Sequence, residues 1–253
     1  MATALITGAS SGLGEEFAWN LAAAGRDIVL VARSRDRLSE TADLLAGATG
    51  VNVEVLVADL STPEGTAAVA ARLADPDHPI DLLVNNAGLG LKAGFLETTV
   101  EEEVAALDVM VRAVLVLSHA AARAMASRGH GAILNLSSIA SWLGNGSYAA
   151  HKAWVTSFTE GLAVQLRGTG VSATAVLPGL THTEFHERAE SEAYDEYPEL
   201  AWLEPEYVVA SALAAVRRKK VLVTPSVRYG TMSGIVKVLP RTWVRAMARR
   251  DRA

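Results

Sequence analysis

Short runs of aliphatic and β-branched residues recur along the first 180 positions: Ala4-Leu5-Ile6, Asp27 to Ala32, Val51 to Val57, Leu82-Leu83-Val84, Ala132 to Leu136 and Val171 to Leu177. Between them, apolar residues repeat at helical spacing over Glu15 to Ala24, Arg35 to Ala46 and Glu64 to Ala74. Apolar strands alternating with helices predict an α/β fold with a parallel sheet covered on both faces. Right-handed crossovers then make it a single doubly wound parallel sheet of Rossmann type. No internal repeat or low-complexity linker divides residues 1–253, so one domain is expected.

Thr98 and Thr99 each stand three residues before a glutamate, Glu101 and Glu102, a capping-box pattern that opens a helix over Glu101 to Ser127. After its acidic first turn this helix is apolar nearly all the way round, through Val104 to Leu107, Val109 to Val111, Ala113 to Leu117 and Ala120 to Ala122. A helix of that kind is covered on both sides. A second copy of the chain is the expected outer cover, giving a homodimer or homotetramer; the chain's own later helices are the alternative. Beyond residue 183 the pattern changes. Residues 183–205 are acidic and aromatic with little periodicity and read as a substrate lid, while Arg241 to Ala253 carries five Arg with Trp243, Val244 and Met247 and reads as a short basic amphipathic helix.

Composition narrows the field. Half of the 253 residues are hydrophobic and a fifth charged, which supports a sizeable core. The net charge of -5 supplies no global basic field, so no nucleic-acid partner is expected. With no cysteine in the chain, disulfides, thiolate nucleophiles and thiolate metal sites are excluded. Met1-Ala2-Thr3 leads straight into the first apolar run, and the window Val109 to Leu117 is short and broken by Arg112, so the expectation is a soluble cytoplasmic protein.

The first apolar run ends in Thr7-Gly8-Ala9-Ser10-Ser11-Gly12-Leu13-Gly14, from which the first helical pattern starts. Glycines at 8, 12 and 14 would let a tight turn bring backbone N–H groups at a helix start against a pyrophosphate, a variant of the dinucleotide fingerprint. A bare tight turn is the simpler alternative. In such folds the end of the second strand selects the cofactor: a carboxylate binds the ribose 2'-hydroxyl, an arginine the 2'-phosphate. Here Val31-Ala32-Arg33-Ser34 offers no acid, and Arg35 and Arg37 follow. A guanidinium grips phosphate bidentately, so NADP is expected over NAD, with a solvated basic turn as the alternative.

Asn85-Asn86-Ala87-Gly88 follows the Leu82 to Val84 run, at the strand edge where ligands bind in open α/β sheets. Asn135-Leu136-Ser137-Ser138 ends the next strand, and ten residues after Ser138 comes Tyr148-Ala149-Ala150-His151-Lys152. Tyr148 and Lys152, four apart, share one helix face. An ammonium beside a phenol favours the phenolate, which suits proton exchange near neutral pH, and a hydroxyl from Ser138 could stabilise a developing oxyanion.

Through Thr7 to Gly14, Asp59-Leu60, Asn85 to Gly88, Ser138, Tyr148 with Lys152, and Pro178-Gly179 with Thr183, the sequence resembles the short-chain dehydrogenases/reductases over roughly residues 3–185. The resemblance implies a carbonyl–alcohol oxidoreductase using NAD(P). Tyr148 would be general acid/base, Lys152 would assist it and hold the nicotinamide ribose, and Ser138 would position the reacting carbonyl. It also implies cofactor contacts from Gly8, Ser10, Ser11, Gly12, Leu13, Gly14 and Arg33. Asp59 and Leu60 would lie by the adenine, Asn86, Ala87 and Gly88 would flank the cofactor, and Pro178, Gly179, Thr181 and Thr183 would lie on the carboxamide side.

Two departures qualify the match. Met110 stands where the family places an Asn that relays protons by way of a water, and a thioether cannot donate a hydrogen bond. This raises a second reading, a cofactor-binding protein with weak or no catalysis. The Ser138 to Tyr148 spacing of ten is shorter than the commoner thirteen or so, which implies a shortened loop through Trp142 to Gly146 and a changed pocket.

Other features are set aside at this level. His182 and His186 flank Glu184 at helical spacing, but no third ligand is evident and no metal is expected. His151 points about 100° away from Lys152 around a helix and reads as a polar side chain facing solvent. Leu89, Leu91, Trp142, Leu143, Phe185, Tyr194, Tyr197 and Trp202 could line a pocket for a lipophilic substrate, or simply pack the lid on the body. Arg217 to Lys220 complements a helix C-terminus. Peripheral attachment of the Arg-rich tail to anionic lipid stands as a minor alternative.

Overall fold

The computed structural model describes residues 2–90, 94–183 and 198–248. Seven parallel strands form one sheet in the order β3-β2-β1-β4-β5-β6-β7. They are β1 (Thr3–Thr7), β2 (Asp27–Ala32), β3 (Val53–Val57), β4 (Leu82–Asn85), β5 (Gly131–Leu136), β6 (Val171–Val176) and β7 (Leu222–Val223). The helices are α1 (Gly12–Ala23), α2 (Arg35–Thr49), α3 (Pro63–Ala74), α4 (Val100–Leu107), α5 (Ala113–Arg128), α6 (Gly146–Gln165), α7 (Pro205–Arg217), α8 (Val227–Val238) and α9 (Arg241–Ala248). The doubly wound architecture expected from the strand–helix alternation is the one observed. β3 starts at Val53 rather than Val51.

The central strands are buried on both faces, and each face has its own core. Ala4, Ile6, Ile28 and Leu30 point into one, with Phe17, Leu21, Leu38 and Leu45 of α1 and α2 and with Val208 and Val209 of α7. Leu5, Val29, Val31 and Ile133 point into the other, with Val69 and Leu73 of α3 and Leu117, Ala121 and Met125 of α5. Strand order reverses between β1 and β4, so the loops that follow these two strands diverge and leave a crevice at the carboxyl edge.

The long helix predicted over Glu101 to Ser127 is composite. Thr99 caps α4 in a full capping box, its hydroxyl accepting from Glu102 N–H while the Glu102 carboxylate accepts from Thr99 N–H. A π-helical turn over Asp108–Arg112 joins α4 to α5, bridged by an Arg112–Asp108 ion pair of 2.7 Å. The resulting helix of 29 residues is long and apolar enough to cross a membrane by length and composition. It is instead a core helix, because Met110, Ala113, Leu117, Ala121 and Met125 are buried in the body. Its outward row Val100, Val104, Leu107 and Leu115 is exposed, so among the described residues one side of this helix is covered and the other open.

Candidate active site

The glycine run folds as a tight turn into α1. Gly8 and Gly12 lie in the left-handed region at φ 66° and 55°, open to L side chains only with strain. A Cβ on Gly8 would meet Ala87 Cα at 2.9 Å, and one on Gly14 would overlap the Gly8 carbonyl and the Asn86 amide. The turn is therefore folded against the β4 loop with no room for side chains. α1 starts at Gly12 with Ser11 as its N-cap, so the N–H groups of its first turn, around Leu13 and Gly14, follow directly on the glycine turn. Thr183 sits against Gly12, which brings the far end of the Pro178 to Thr183 stretch to the same place.

Thr7 and Asn86 stitch the two loops together. The Thr7 hydroxyl accepts from Asn86 N–H (3.0 Å) and Ala87 N–H (3.1 Å), and the Asn86 amide donates to the Thr7 (3.0 Å) and Gly8 (3.2 Å) carbonyls. The Asn86 side chain thus fixes the glycine turn against the loop that follows β4.

At the ends of β2 and β3, Arg33 is exposed and stands near Asp59. Burial acts to raise the Asp59 carboxyl. Hydrogen bonds from the Ser61 hydroxyl and N–H, together with the Arg33 guanidinium, overcome this and hold it below its usual range. Those bonds, 2.7 and 2.9 Å long, make Asp59 the organiser of the turn into α3. Leu60 beside it is buried.

Ser138, Tyr148 and Lys152 gather at the carboxyl end of β5. Ser138 follows the strand by two residues, and its Oγ accepts from Ala140 N–H at 3.1 Å in a 3-10 turn over Ile139–Trp142. That turn and Gly146, at φ 74°, make the short connection to α6. Tyr148 lies in the first turn of α6, half-buried, with the Lys152 Nζ 5.7 Å from its ring centroid. Lys152 is buried and donates to the Leu136 carbonyl at 2.7 Å. Burial pushes its pKa down to about 8.

A buried polar lattice that the sequence did not single out holds this group in place. Ser137 Oγ donates to the Lys152 carbonyl at 2.7 Å, so α6 and β5 are tied twice at one residue. Asn135 donates to Thr159 (2.9 Å), and Asn85 donates to Asn135 (2.8 Å) and Ser118 (3.1 Å), linking β4, β5, α5 and α6. Ile139 N–H reaches the Pro178 carbonyl at 3.0 Å, which joins the Ser138 turn to the Pro178-Gly179 loop. Polar residues at the last inward positions of adjacent apolar strands were the available signal.

Several expectations change. His151 is buried rather than a surface group: burial pushes it below the usual imidazole range, the Glu103 carboxylate opposes, and the Lys152 ammonium adds to the depression. The 100° offset that turns His151 away from Lys152 turns it toward α4 instead of solvent, because α4 and the π turn pack over α6. Met110 is buried within the π turn, which packs against the same helix. His182 pairs with Glu199 at 3.0 Å and stacks on Trp202, while Glu184 and His186 lie outside the described residues.

Most of the lid expected at 183–205 also lies outside them, as do Leu91, Phe185, Tyr194 and Tyr197 of the candidate pocket lining. Its described ends meet: Thr181 and Leu203 form a parallel bridge, and Tyr229 of α8 packs on Gly179 and donates to the Ala201 carbonyl at 2.6 Å.

With this geometry in view, comparison with known proteins is direct. Residues 2–193 match the short chain dehydrogenase family. Sulfoacetaldehyde reductase 2 of Chromohalobacter salexigens is 36% identical over 186 residues, covering 72% of this chain and 73% of the relative. A short-chain dehydrogenase from Sphingobium yanoikuyae, solved in complex with NADPH, superposes with a TM-score of 0.85 at 35% identity, over 95% of this chain and 97% of that one. The bulky-bulky ketone specific alcohol dehydrogenase from Comamonas testosteroni superposes with a TM-score of 0.81 at 30% identity, over 95% and 96%. This chain belongs to the short chain dehydrogenase family of oxidoreductases.

Proposed function

We propose that the protein interconverts a ketone or aldehyde and its alcohol with NADP(H), and that Tyr148 exchanges the proton at the substrate oxygen. The observation that carries this reading is the buried Lys152 ammonium, fixed on the Leu136 carbonyl beside the Tyr148 ring. A cation in that position stabilises the phenolate that proton transfer creates. Ser138 accepts a hydrogen bond from the backbone, so its own proton is free to be donated to the substrate oxygen. Bound NADPH would supply the hydride. Gly8, Gly12 and Gly14 let the turn close tightly at the start of α1, where backbone N–H groups would meet its pyrophosphate, and Arg33, at a strand end without a carboxylate, suits the 2'-phosphate better than a bare ribose.

Leu89, Trp142, Leu143 and Trp202, all half-buried, favour a lipophilic substrate. The outward row Val100, Val104, Leu107 and Leu115 supports self-association through α4 and α5, as a homodimer or homotetramer. The chain then acts as one NADP(H)-binding domain, in the cytoplasm.

Replacing Tyr148 by Phe is expected to lower turnover about a thousandfold while NADPH affinity stays within about twofold. Retained turnover in a screen of ketones and aldehydes graded by size would reject Tyr148 as proton carrier. Met110 favours a second reading, cofactor binding without catalysis, since a buried thioether offers no hydrogen bond to a relay beside α6. Met110→Asn separates the two: a large gain in rate would show an enzyme whose relay is impaired, and no activity before or after the change would favour the binding reading.

A further inference from the structure

The C-terminal helix pair presents a surface that the reaction does not use. α8 buries Tyr229, Ser233 and Val236 and turns Val227, Ile235 and Val238 to solvent on the opposite side, with Val227 and Val238 more than four-fifths exposed. The steps of eight and three residues between Val227, Ile235 and Val238 keep them within one apolar stripe. α9 anchors itself through buried Val244 and exposes Trp243 between Arg241 and Arg245. Residues 227–253 carry seven Lys or Arg and one Asp, whereas residues 1–226 carry 16 Lys or Arg against 27 Asp or Glu. Arg228, Lys237, Arg241 and Arg245 are all exposed. The charge of this protein is segregated, and the cationic part coincides with the exposed apolar stripe.

We propose that α8 and α9 form a peripheral membrane-docking face that seats on an anionic lipid surface. Aliphatic side chains and a tryptophan ringed by arginines match the apolar and anionic layers of a lipid headgroup region. A two-fold contact with a second copy through the same patch would oppose two like-charged surfaces, which disfavours that occupant. The face also has a fixed relation to the reaction loop. The Lys237 ammonium lies 4.0 Å from the centroid of the Trp142 ring, and Arg241 donates to the Trp142 carbonyl at 3.1 Å. Docking would therefore set the connection between Ser138 and Tyr148 beside the lipid.

The test is co-sedimentation of the full chain with vesicles of phosphatidylcholine alone or with phosphatidylglycerol. Binding is expected to be about a hundredfold tighter to the phosphatidylglycerol vesicles and to be lost in about 0.5 M salt. Ile235→Glu with Val238→Glu should weaken it at least about tenfold, as should Arg241→Gln with Arg245→Gln. Should either pair perturb folding, seen in circular dichroism, Trp243→Ala provides the same readout. Equal partition of wild type and variants, or no binding to phosphatidylglycerol vesicles, overturns the proposal. So does loss of oligomer mass in the Ile235/Val238 variant without vesicle binding by the wild type, which would assign the face to a second copy. No arm reads turnover, so failure here and failure of the oxidoreductase reading are separate results.

Discussion

The two ends of the cleft are built from different materials. At the end proposed for the nucleotide the candidate determinants are mostly backbone: glycines where a Cβ would collide with Ala87 or the Gly8 carbonyl, N–H groups at the start of α1, and one exposed guanidinium. At the reaction end they are side chains in a buried lattice, with Lys152 on the Leu136 carbonyl, Ser137 on the Lys152 carbonyl and Asn135 on Thr159. A backbone cradle tolerates change in its surroundings, since its donors belong to no side chain. A buried polar lattice does not, because removing one member leaves another unsatisfied.

The sharpest way to break this contrast is at Lys152. Lys152→Met is expected to lower turnover by about a thousandfold. It should also remove a pH dependence from the stability of the protein without cofactor. The folded-state pKa, near 8, lies below the usual value of about 10.5, so between those limits the unfolded chain holds more protons and stability rises with pH. The methionine variant lacks this slope, and it strands the Leu136 carbonyl. Thermal melts should show the wild type gaining on the variant as pH rises from about 8 to about 10.5. A gap independent of pH would show that burial does not depress the Lys152 ammonium.

Arg33→Asp probes the other end. NADPH affinity is expected to fall by about thirtyfold while NADH affinity changes little, as loss of one charge-assisted phosphate contact dictates. Equal losses in titrations with both cofactors would remove Arg33 from the 2'-phosphate.

Thr159→Val is the smallest and most discriminating change. It strands the Asn135 amide, so kcat should drop about tenfold while the KM for NADPH stays constant. If KM moved and kcat did not, the lattice would be supporting the nucleotide end instead.

The same contrast explains what the sequence could disclose. Glycine spacing at 8, 12 and 14, the Tyr148–Lys152 interval and the capping Thr99 are local patterns that need only neighbours in the chain. Asn135 to Thr159 and Asn85 to Ser118 are contacts between elements 24 and 33 positions apart, with no linear signature. His151 misled for a related reason. Its offset from Lys152 was readable, but the packing of α4 and the π turn over that side of α6 was not. The composite helix was legible in extent and apolar character, whereas the π turn around Met110 leaves no trace in hydrophobic periodicity.

The double tie between β5 and α6 has a consequence for how such a protein can change. Because Leu136 and Ser137 grip Lys152 directly, the anchor between α6 and β5 lies outside residues 139–147. A change of length in that connection would move what stands above the lysine and leave the lysine itself where it is.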